Sequence, residues 1–127
     1  MANVDDLEKI CQKITNLDPE MRSTRIINSR GHLVAGGMKK GLQSLEAQKQ
    51  DEMMFMELAL RVRMRHEFDK EFGEVHFSMS YRDKVILMSF PLANDDVLLV
   101  TSEKEVDFGK IAFKILKLAE PLKKSVL

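Results

Sequence analysis

The chain reads DEMMFMELALRVRMRHEFDKEF over residues 51–72, a stretch that contains neither glycine nor proline. Gly73 follows it and is a common helix terminator. Asp51 is able to cap the first turn. The stretch therefore predicts one long central helix over residues 51–72.

Apolar residues fall on two opposite sides of this predicted helix, which has about 3.6 residues per turn. One side is the methionine stripe, formed by Met53, Met56, Leu60, Met64 and Phe68. The other side is the Phe55 stripe, formed by Phe55, Leu58, Ala59 and Val62. A helix that only covered one sheet would need a single stripe.

Two arrangements would bury both stripes. In the first, the helix lies in a three-layer core between the sheet and the terminal helices of the same chain. In the second, one stripe packs on the sheet and the other on a second chain, where methionine supplies an adaptable contact surface. We favour the second, because a domain of this size with a five-stranded sheet typically has only two layers of secondary structure on each side of its core. A self-complementary helix predicts a symmetric homodimer, and either stripe could face the second chain.

The segments around the central helix predict a helix at each end of the chain and five strands. Asn3 is a candidate N-cap for the first helix, and Asp107 opens the last one. The strands are expected as a hairpin over residues 24–29 and 32–35 and a meander over residues 75–81, 85–90 and 97–101. The order α-β-β-α-β-β-β-α predicts an α+β fold, in which a five-stranded antiparallel sheet carries the long central helix and the flanking terminal helices. Residues 1–127 are expected to form a single domain.

The composition is that of an ordinary globular protein, with 44% hydrophobic and 31% charged residues. Twenty basic residues balance twenty acidic ones, so no overall charge favours a nucleic acid or a membrane as a partner. The sequence shows neither a signal peptide nor a membrane span, and we expect a cytoplasmic protein. Cys11 is the only cysteine and lies on the apolar side of the first helix, where core packing is its expected role.

Motifs for catalysis, cofactors and metals are missing from the sequence. Residues 36–41, GGMKKG, lack the spacing and the Lys-Ser/Thr pair of a phosphate-binding loop, and we expect a bend or bulge there. His32, His66 and His76 are too far apart to place two metal ligands on one helix face. His66 is expected to be partly buried beside the Phe55 stripe. No motif activates a nucleophile. We therefore predict no catalytic, cofactor-binding or metal-binding residue, and no enzyme.

A local excess of positive charge spans residues 61–66, RVRMRH. On a helix, Arg61 and Arg65 form one basic edge, while Arg63 lies on another. Acidic residues of the same helix, such as Glu57 and Glu67, are near enough to form ion pairs, which is the favoured interpretation. The weaker alternative is a contact of this edge with a nucleic acid or an acidic partner.

Residues 26–37, IINSRGHLVAGG, resemble the first hairpin of the Roadblock/dynein light chain family, and so does the order of the elements over nearly the whole chain. This family is related to the profilin-like and longin folds. The resemblance implies a homodimer in which the central helices lie together and the strands at residues 75–81 pair across the twofold axis. It also implies a non-enzymatic scaffold or regulator of small Ras-like GTPases or motor complexes. In style the chain is similar to small archaeal members of the group.

The expected dimer or partner interface follows from the apolar stripe, the basic edge and this resemblance. It comprises Met53, Met56, Leu60, Met64, Phe68, Arg61, Arg65, Val75, Phe77 and Met79.

The alternative function is a small-molecule sensor domain of the PAS, GAF or profilin-like type, with its ligand between the sheet and the helices. Met79, Tyr81, Met88 and Phe90 are the candidates to line that pocket, although they would serve equally well as core residues. A filled core would favour the interaction module over the sensor.

Overall fold

The computed structural model describes residues 3–124 and contains four helices and five strands within that range. The helices are α1 (Val4–Thr15), α2 (Gln48–Arg65), α3 (Asp69–Phe72) and α4 (Phe108–Ala119). The strands are β1 (Met21–Ile27), β2 (Leu33–Met38), β3 (Ser78–Tyr81), β4 (Ile86–Pro91) and β5 (Val97–Ser102). Short 3-10 turns span His66–Phe68, Ala93–Asp95 and Glu120–Lys123. The α+β fold and its element order are confirmed, whereas the prediction of one domain over residues 1–127 stays a prediction, with 1–2 and 125–127 outside the described residues.

The five strands form one antiparallel sheet in the order β2-β1-β5-β4-β3. The first and last strands of the chain, β1 and β5, pair in its middle with Thr24 opposite Val100. Each of them also belongs to a hairpin, with β2 and β4 respectively. This topology leaves β2 and β3 at the two edges of the sheet.

Helices cover both faces of the sheet. The terminal helices α1 and α4 lie on one face, over a large core that includes Ile14, Met88, Phe90, Leu98 and Ile115. The helix α2 lies on the other face, over a smaller core that contains Ile27, Val97 and Leu99. Neighbouring residues of β5 alternate between the two cores because successive side chains of a strand point to opposite faces.

The caps of the terminal helices agree with the sequence. Asn3 Oδ1 accepts a hydrogen bond from the backbone N–H of Asp6 at 2.9 Å, and Asp107 Oδ1 accepts one from that of Lys110 at 3.3 Å. Cys11 is buried as expected, and burial, with the nearby charge of Glu8 as a second cause, raises the pKa of its thiol to about 12.

The central helix differs from its prediction at both ends. Its N-cap is Ala47, and the side chain of Gln50 accepts a hydrogen bond from the Ala47 N–H at 2.9 Å. Asp51 is therefore no cap and instead lies inside the first turns. The helix also ends at Arg65, because a 3-10 turn interrupts it before α3.

The strand boundaries also shift. β1 begins at Met21, earlier than predicted, and β2 continues through both glycines to Met38, so the expected bend at residues 36–41 is wrong in its first half. Gly36 has φ +86° and packs against the Thr24 carbonyl, which a side chain would clash with. β3 begins only at Ser78, so Val75 and Phe77 precede the strand in which they were predicted.

Candidate interaction surface

The Phe55 stripe is the side of α2 that packs on the sheet. Phe55, Ala59 and Val62 are each at most 5% exposed, and Leu58 is half-buried beside them. Their partners are the apolar residues of β1 and β5 in the smaller core. This stripe therefore binds α2 to its own chain.

The methionine stripe is exposed. Its five side chains are between 48% and 71% exposed, although all are large and apolar. Phe72 of α3 extends the stripe by stacking on Phe68, with 5.9 Å between ring centroids. The three-layer arrangement considered for this chain is wrong, because α1 and α4 lie on the opposite face of the sheet and cannot cover this side.

The arginines beside the stripe are held in three different ways. Arg61 forms an i,i+4 ion pair with Glu57 at 3.3 Å, in the manner expected from the sequence, and both side chains are largely exposed. Arg65 Nη1 donates a hydrogen bond to Ser78 Oγ at 2.8 Å and has no carboxylate partner within residues 3–124. Arg63 donates to the Ser29 carbonyl at 2.8 Å. Arg65 thus connects the end of α2 to β3.

The edge strand β3 borders the same side of the molecule. Ser78 and Ser80 pair with Ser89 and Leu87 of β4, and no strand within residues 3–124 pairs with the outer edge of β3. Met79 is 40% exposed on the face that α4 covers. Of the other predicted interface residues, Val75 is half-buried before the strand, and Phe77 packs on Phe90 with 5.8 Å between ring centroids.

The turn of the β1–β2 hairpin packs closely against α2. Gly31 has φ +80°, and a Cβ placed on it would lie 2.8 Å from Met56 Cα. Only glycine fits this contact without displacement of the helix. The turn therefore sets the distance of the middle of α2 from the sheet.

At its C-terminal end, α2 is attached to the β4–β5 turn through His66. The Nδ1 atom of His66 lies 2.7 Å from Asp69 Oδ2, and its Nε2 atom lies 2.9 Å from Asp95 Oδ1. The hydrogen bond to Asp69, followed by that to Asp95, raises the pKa of His66. His66 is thus about half exposed and hydrogen-bonded to two carboxylates, in agreement with the expectation of a partly buried histidine.

At its N-terminal end, α2 covers a buried arginine. Arg25 of β1 is 4% exposed and lies over the Phe55 ring, with Asp51 Oδ2 at 3.7 Å from Nη2. Asp51 Oδ1 is buried without a hydrogen-bond donor among residues 3–124. Burial, followed by a hydrogen bond with the Glu46 carboxyl group, raises the pKa of Asp51 to about 6, and the charge of Arg25 only partly opposes this shift.

The four residues predicted to line a sensor pocket do not do so. Met88 and Phe90 are fully buried in the larger core, while Met79 and Tyr81 are exposed at the sheet edge. A cleft of about 610 Å³ lies instead on the α2 face, lined by Arg25, Glu46 and the β3–β4 turn among others.

Within residues 3–124, no three His, Cys, Asp or Glu side chains converge as metal ligands would. No helix in the same part of the chain is both long and apolar enough to cross a membrane.

A family model matches residues 1–124 of the chain, and it describes DUF6659, a family of unknown function. The chain belongs to this family. No curated protein sequence matches it.

Solved structures similar to this DUF6659 chain include Roadblock-type domains. The gliding protein MglB from Thermus thermophilus has a TM-score of 0.75 at 10% identity, over 97% of this chain and 92% of that one. MglB from Myxococcus xanthus has a TM-score of 0.70 at 15% identity, over 92% and 91%. A Roadblock/LC7 domain from Streptomyces avermitilis has a TM-score of 0.66 at 14% identity, over 90% and 94%. The DUF6659 chain therefore has a Roadblock-type fold, as the sequence resemblance implied.

Sequence reasoning found the exposed stripe of this DUF6659 protein but missed the residues under α2. Arg25 stands in the strand MRSTRII, where a charged residue among buried neighbours signals a buried ion pair. Nothing in the sequence indicated that Asp51 would meet it, because Asp51 was assigned to the cap of the central helix.

Proposed function

We propose that this chain is a non-enzymatic, homodimeric interaction module that scaffolds or regulates a small Ras-like GTPase or another signalling protein. The observation that carries the proposal is the exposed methionine stripe beside the unpaired edge of β3. An apolar surface of this extent is typical of an interface and unusual on a monomer.

The apolar area of the stripe supports self-association. Burying a leucine, methionine or phenylalanine side chain fully stabilises a complex by roughly 1.5–3 kcal/mol. The five side chains of the stripe together would therefore offset a large part of the cost of association, which is on the order of 4–15 kcal/mol. In an isologous contact, each α2 meets the α2 of its copy through the same residues.

The edge of β3 supports the same arrangement. Its unpaired backbone groups are suited to pairing with a second β3, which would join two sheets into one. Arg65 lies between the methionine stripe and β3, because it donates a hydrogen bond to Ser78. The stripe and the edge of β3 therefore belong to one continuous surface. In this interface Met53, Met56, Leu60, Met64, Phe68, Arg61 and Arg65 take direct part. Met79 contributes through the backbone of β3, because its side chain lies on the face that α4 covers. Val75 and Phe77 contribute less, because they lie before β3 and are partly covered.

A GTPase partner is supported by the fold alone. The resemblance to Roadblock-type domains implies a scaffold or regulator of Ras-like GTPases, and a gliding protein MglB shares the fold. The proposed partner would bind a surface that exists only in the dimer.

The first experiment is the solution mass by light scattering of the wild type and of a Met56→Glu, Leu60→Glu variant. A dimeric wild type and a folded, monomeric variant are expected, because two carboxylates in an apolar twofold contact face their own copies. A matched control is Val4→Glu with Phe113→Glu, at two exposed apolar positions on the other face of the sheet. A monomeric wild type would overturn the dimer.

The second experiment is calorimetric binding of purified small Ras-like GTPases from the same organism, loaded with GDP or a GTP analogue. Wild-type protein is expected to bind one of them, and the monomeric variant is expected to bind at least about tenfold more weakly, a loss of about 1.4 kcal/mol. Failure of every such GTPase to bind a dimeric wild type would remove the GTPase from the proposal and leave the dimer.

A further inference from the structure

A second exposed apolar surface lies on the opposite face of the sheet from α2. Its members, here called the α4–β3 patch, are Met79, Tyr81, Phe108 and Phe113. Phe113 is 62% exposed and Tyr81 is 59% exposed. Two ring contacts join α4 to β3 and the residue before it: Tyr81 lies 6.1 Å from Phe108 between centroids, and Phe113 lies 5.8 Å from Phe77. The packing keeps these rings at the surface, where they are available for contact.

Lysines surround this patch. Within α4 there are three lysines and no acidic residue, and Lys110, Lys114 and Lys117 share the outward side with Phe113 at helical spacing. The ammonium group of Lys104 lies 5.0 Å from the centroid of the Tyr81 ring. Lys123 and Lys124 follow at the end of the helix. The surface thus combines exposed rings with a cluster of positive charge.

We propose that the α4–β3 patch binds the surface of a membrane that contains anionic phospholipids. Aromatic side chains with lysines beside them are suited to the boundary between lipid headgroups and acyl chains. Each lysine near an anionic lipid surface contributes about 1 kcal/mol, and clusters of four to eight are typical of such binding. A second copy of the chain is a poor occupant, because two lysine-rich faces repel each other in a twofold contact.

The zero net charge of the chain does not oppose this binding, because α4 itself carries three lysines and no acidic residue, although Asp107 and Glu120 flank it. The acidic residues Asp5, Asp6 and Glu8 are exposed on α1. That helix packs on β1 and β2, at the far edge of the same face. The positive patch lies at the β3 edge, where α4 contacts Tyr81. The sequence-based expectation of no membrane partner rested on the average charge, and it stays a prediction that this proposal would replace.

Dimer formation would strengthen the contact, and this step rests on the proposed function. Two β3 strands that pair antiparallel are related by a twofold axis perpendicular to the sheet. Both α4 helices then lie on one side of the joined sheet, with the two patches next to each other. The α2 helices lie on the other side, so the dimer would bind lipid through two patches at once.

The test is co-sedimentation of the protein with vesicles of phosphatidylcholine alone and of phosphatidylcholine mixed equally with phosphatidylglycerol, at low and physiological salt. Binding is expected only to the anionic vesicles, and salt is expected to weaken it. A Lys110→Glu, Lys114→Glu variant should bind at least about tenfold more weakly. Phe113→Ser should also lose affinity, while circular dichroism shows that both variants remain folded.

The matched control is Lys9→Glu with Lys13→Glu, which reverses two exposed lysines on α1. The control should bind vesicles as the wild type does. Equal loss in the control and the patch variant, or no binding of the wild type to anionic vesicles at low salt, would overturn the proposal. So would binding to polyglutamate without binding to vesicles, because the partner would then be an acidic protein. The monomeric Met56→Glu, Leu60→Glu variant separates the two proposals: it should still bind vesicles, but more weakly than a dimeric wild type.

Discussion

The helix α2 has two apolar sides of similar composition, and only one of them touches the sheet. Phe55, Ala59 and Val62 are enclosed by β1 and β5, whereas the methionine stripe faces outward. The difference shows that an apolar stripe predicts a contact but not the chain that supplies it. The inner side stabilises the monomer, and the outer side is free to stabilise an assembly.

The largest expected effect distinguishes these two sides. Phe55→Ala should lower the free energy of unfolding by about 3–5 kcal/mol, because it leaves a cavity in the smaller core. Leu60→Ala should change it by less than about 1 kcal/mol at a protein concentration where the chain is monomeric. Urea denaturation of both variants at one low concentration measures the difference. Similar losses for both would show that the outer side also belongs to the monomer core.

The next effect concerns the hairpin turn that holds α2 in place. Gly31→Ala should destabilise the protein by at least about 2 kcal/mol, because an alanine is strained at φ +80° and its Cβ would meet the Met56 backbone. Gly109→Ala is the control, since open space surrounds Gly109 in the first turn of α4, and it should be neutral or slightly stabilising. Thermal denaturation of the pair tests this, and a harmless Gly31→Ala would mean that the turn can move away from α2.

A smaller effect is expected at the N-terminal end of α2. The pKa of Asp51 is raised to about 6, so the folded protein holds a proton that the unfolded chain releases near its ordinary pKa. The contribution of Asp51 to the free energy of unfolding is therefore fully present below a pH of about 4. It is lost as the pH rises to about 6. Asp51→Asn should remove this dependence, which is about 1–2 kcal/mol after the shift of about two pKa units is discounted for solvent screening.

The measurement is urea denaturation of the wild type and Asp51→Asn across this pH range. Glu52→Gln, at the exposed neighbouring position, serves as the control and should follow the wild type. Parallel curves for wild type and Asp51→Asn would show that folding does not raise the pKa of Asp51.

The smallest effect is expected at the C-terminal end of α2. The hydrogen bonds to Asp69 and Asp95 raise the pKa of His66. The contribution of His66 to stability is therefore present below the ordinary pKa of histidine and is lost as the pH rises through the raised value. Solvent screens this half-exposed group, and the effect should be small. The stability difference between the wild type and His66→Gln should shrink from mildly acidic to alkaline pH in thermal denaturation. A difference that grows with pH would contradict the bonds to Asp69 and Asp95.

Local sequence patterns were sufficient for the elements and their order. The alternation of apolar residues, the caps at Asn3 and Asp107 and the breaks at glycines and prolines act over a few residues, so they can be read along the chain. The boundaries were less accurate where a distant partner decides them. β2 continues through Gly36 and Gly37 because β1 pairs with it, and α2 ends at Arg65 where His66 is held by Asp95 of another turn.

The sequence by itself determined an α+β chain with a doubly apolar central helix, and it identified the residues of both stripes. Only the tertiary structure decided that the Phe55 stripe packs on the sheet, since this choice depends on the rotation of α2 about its own axis. The same holds for the buried Arg25, which meets Asp51 from a distant part of the chain. The α4–β3 patch likewise joins residues of two separate elements. Contacts of this kind depend on packing in three dimensions, which no local spacing records.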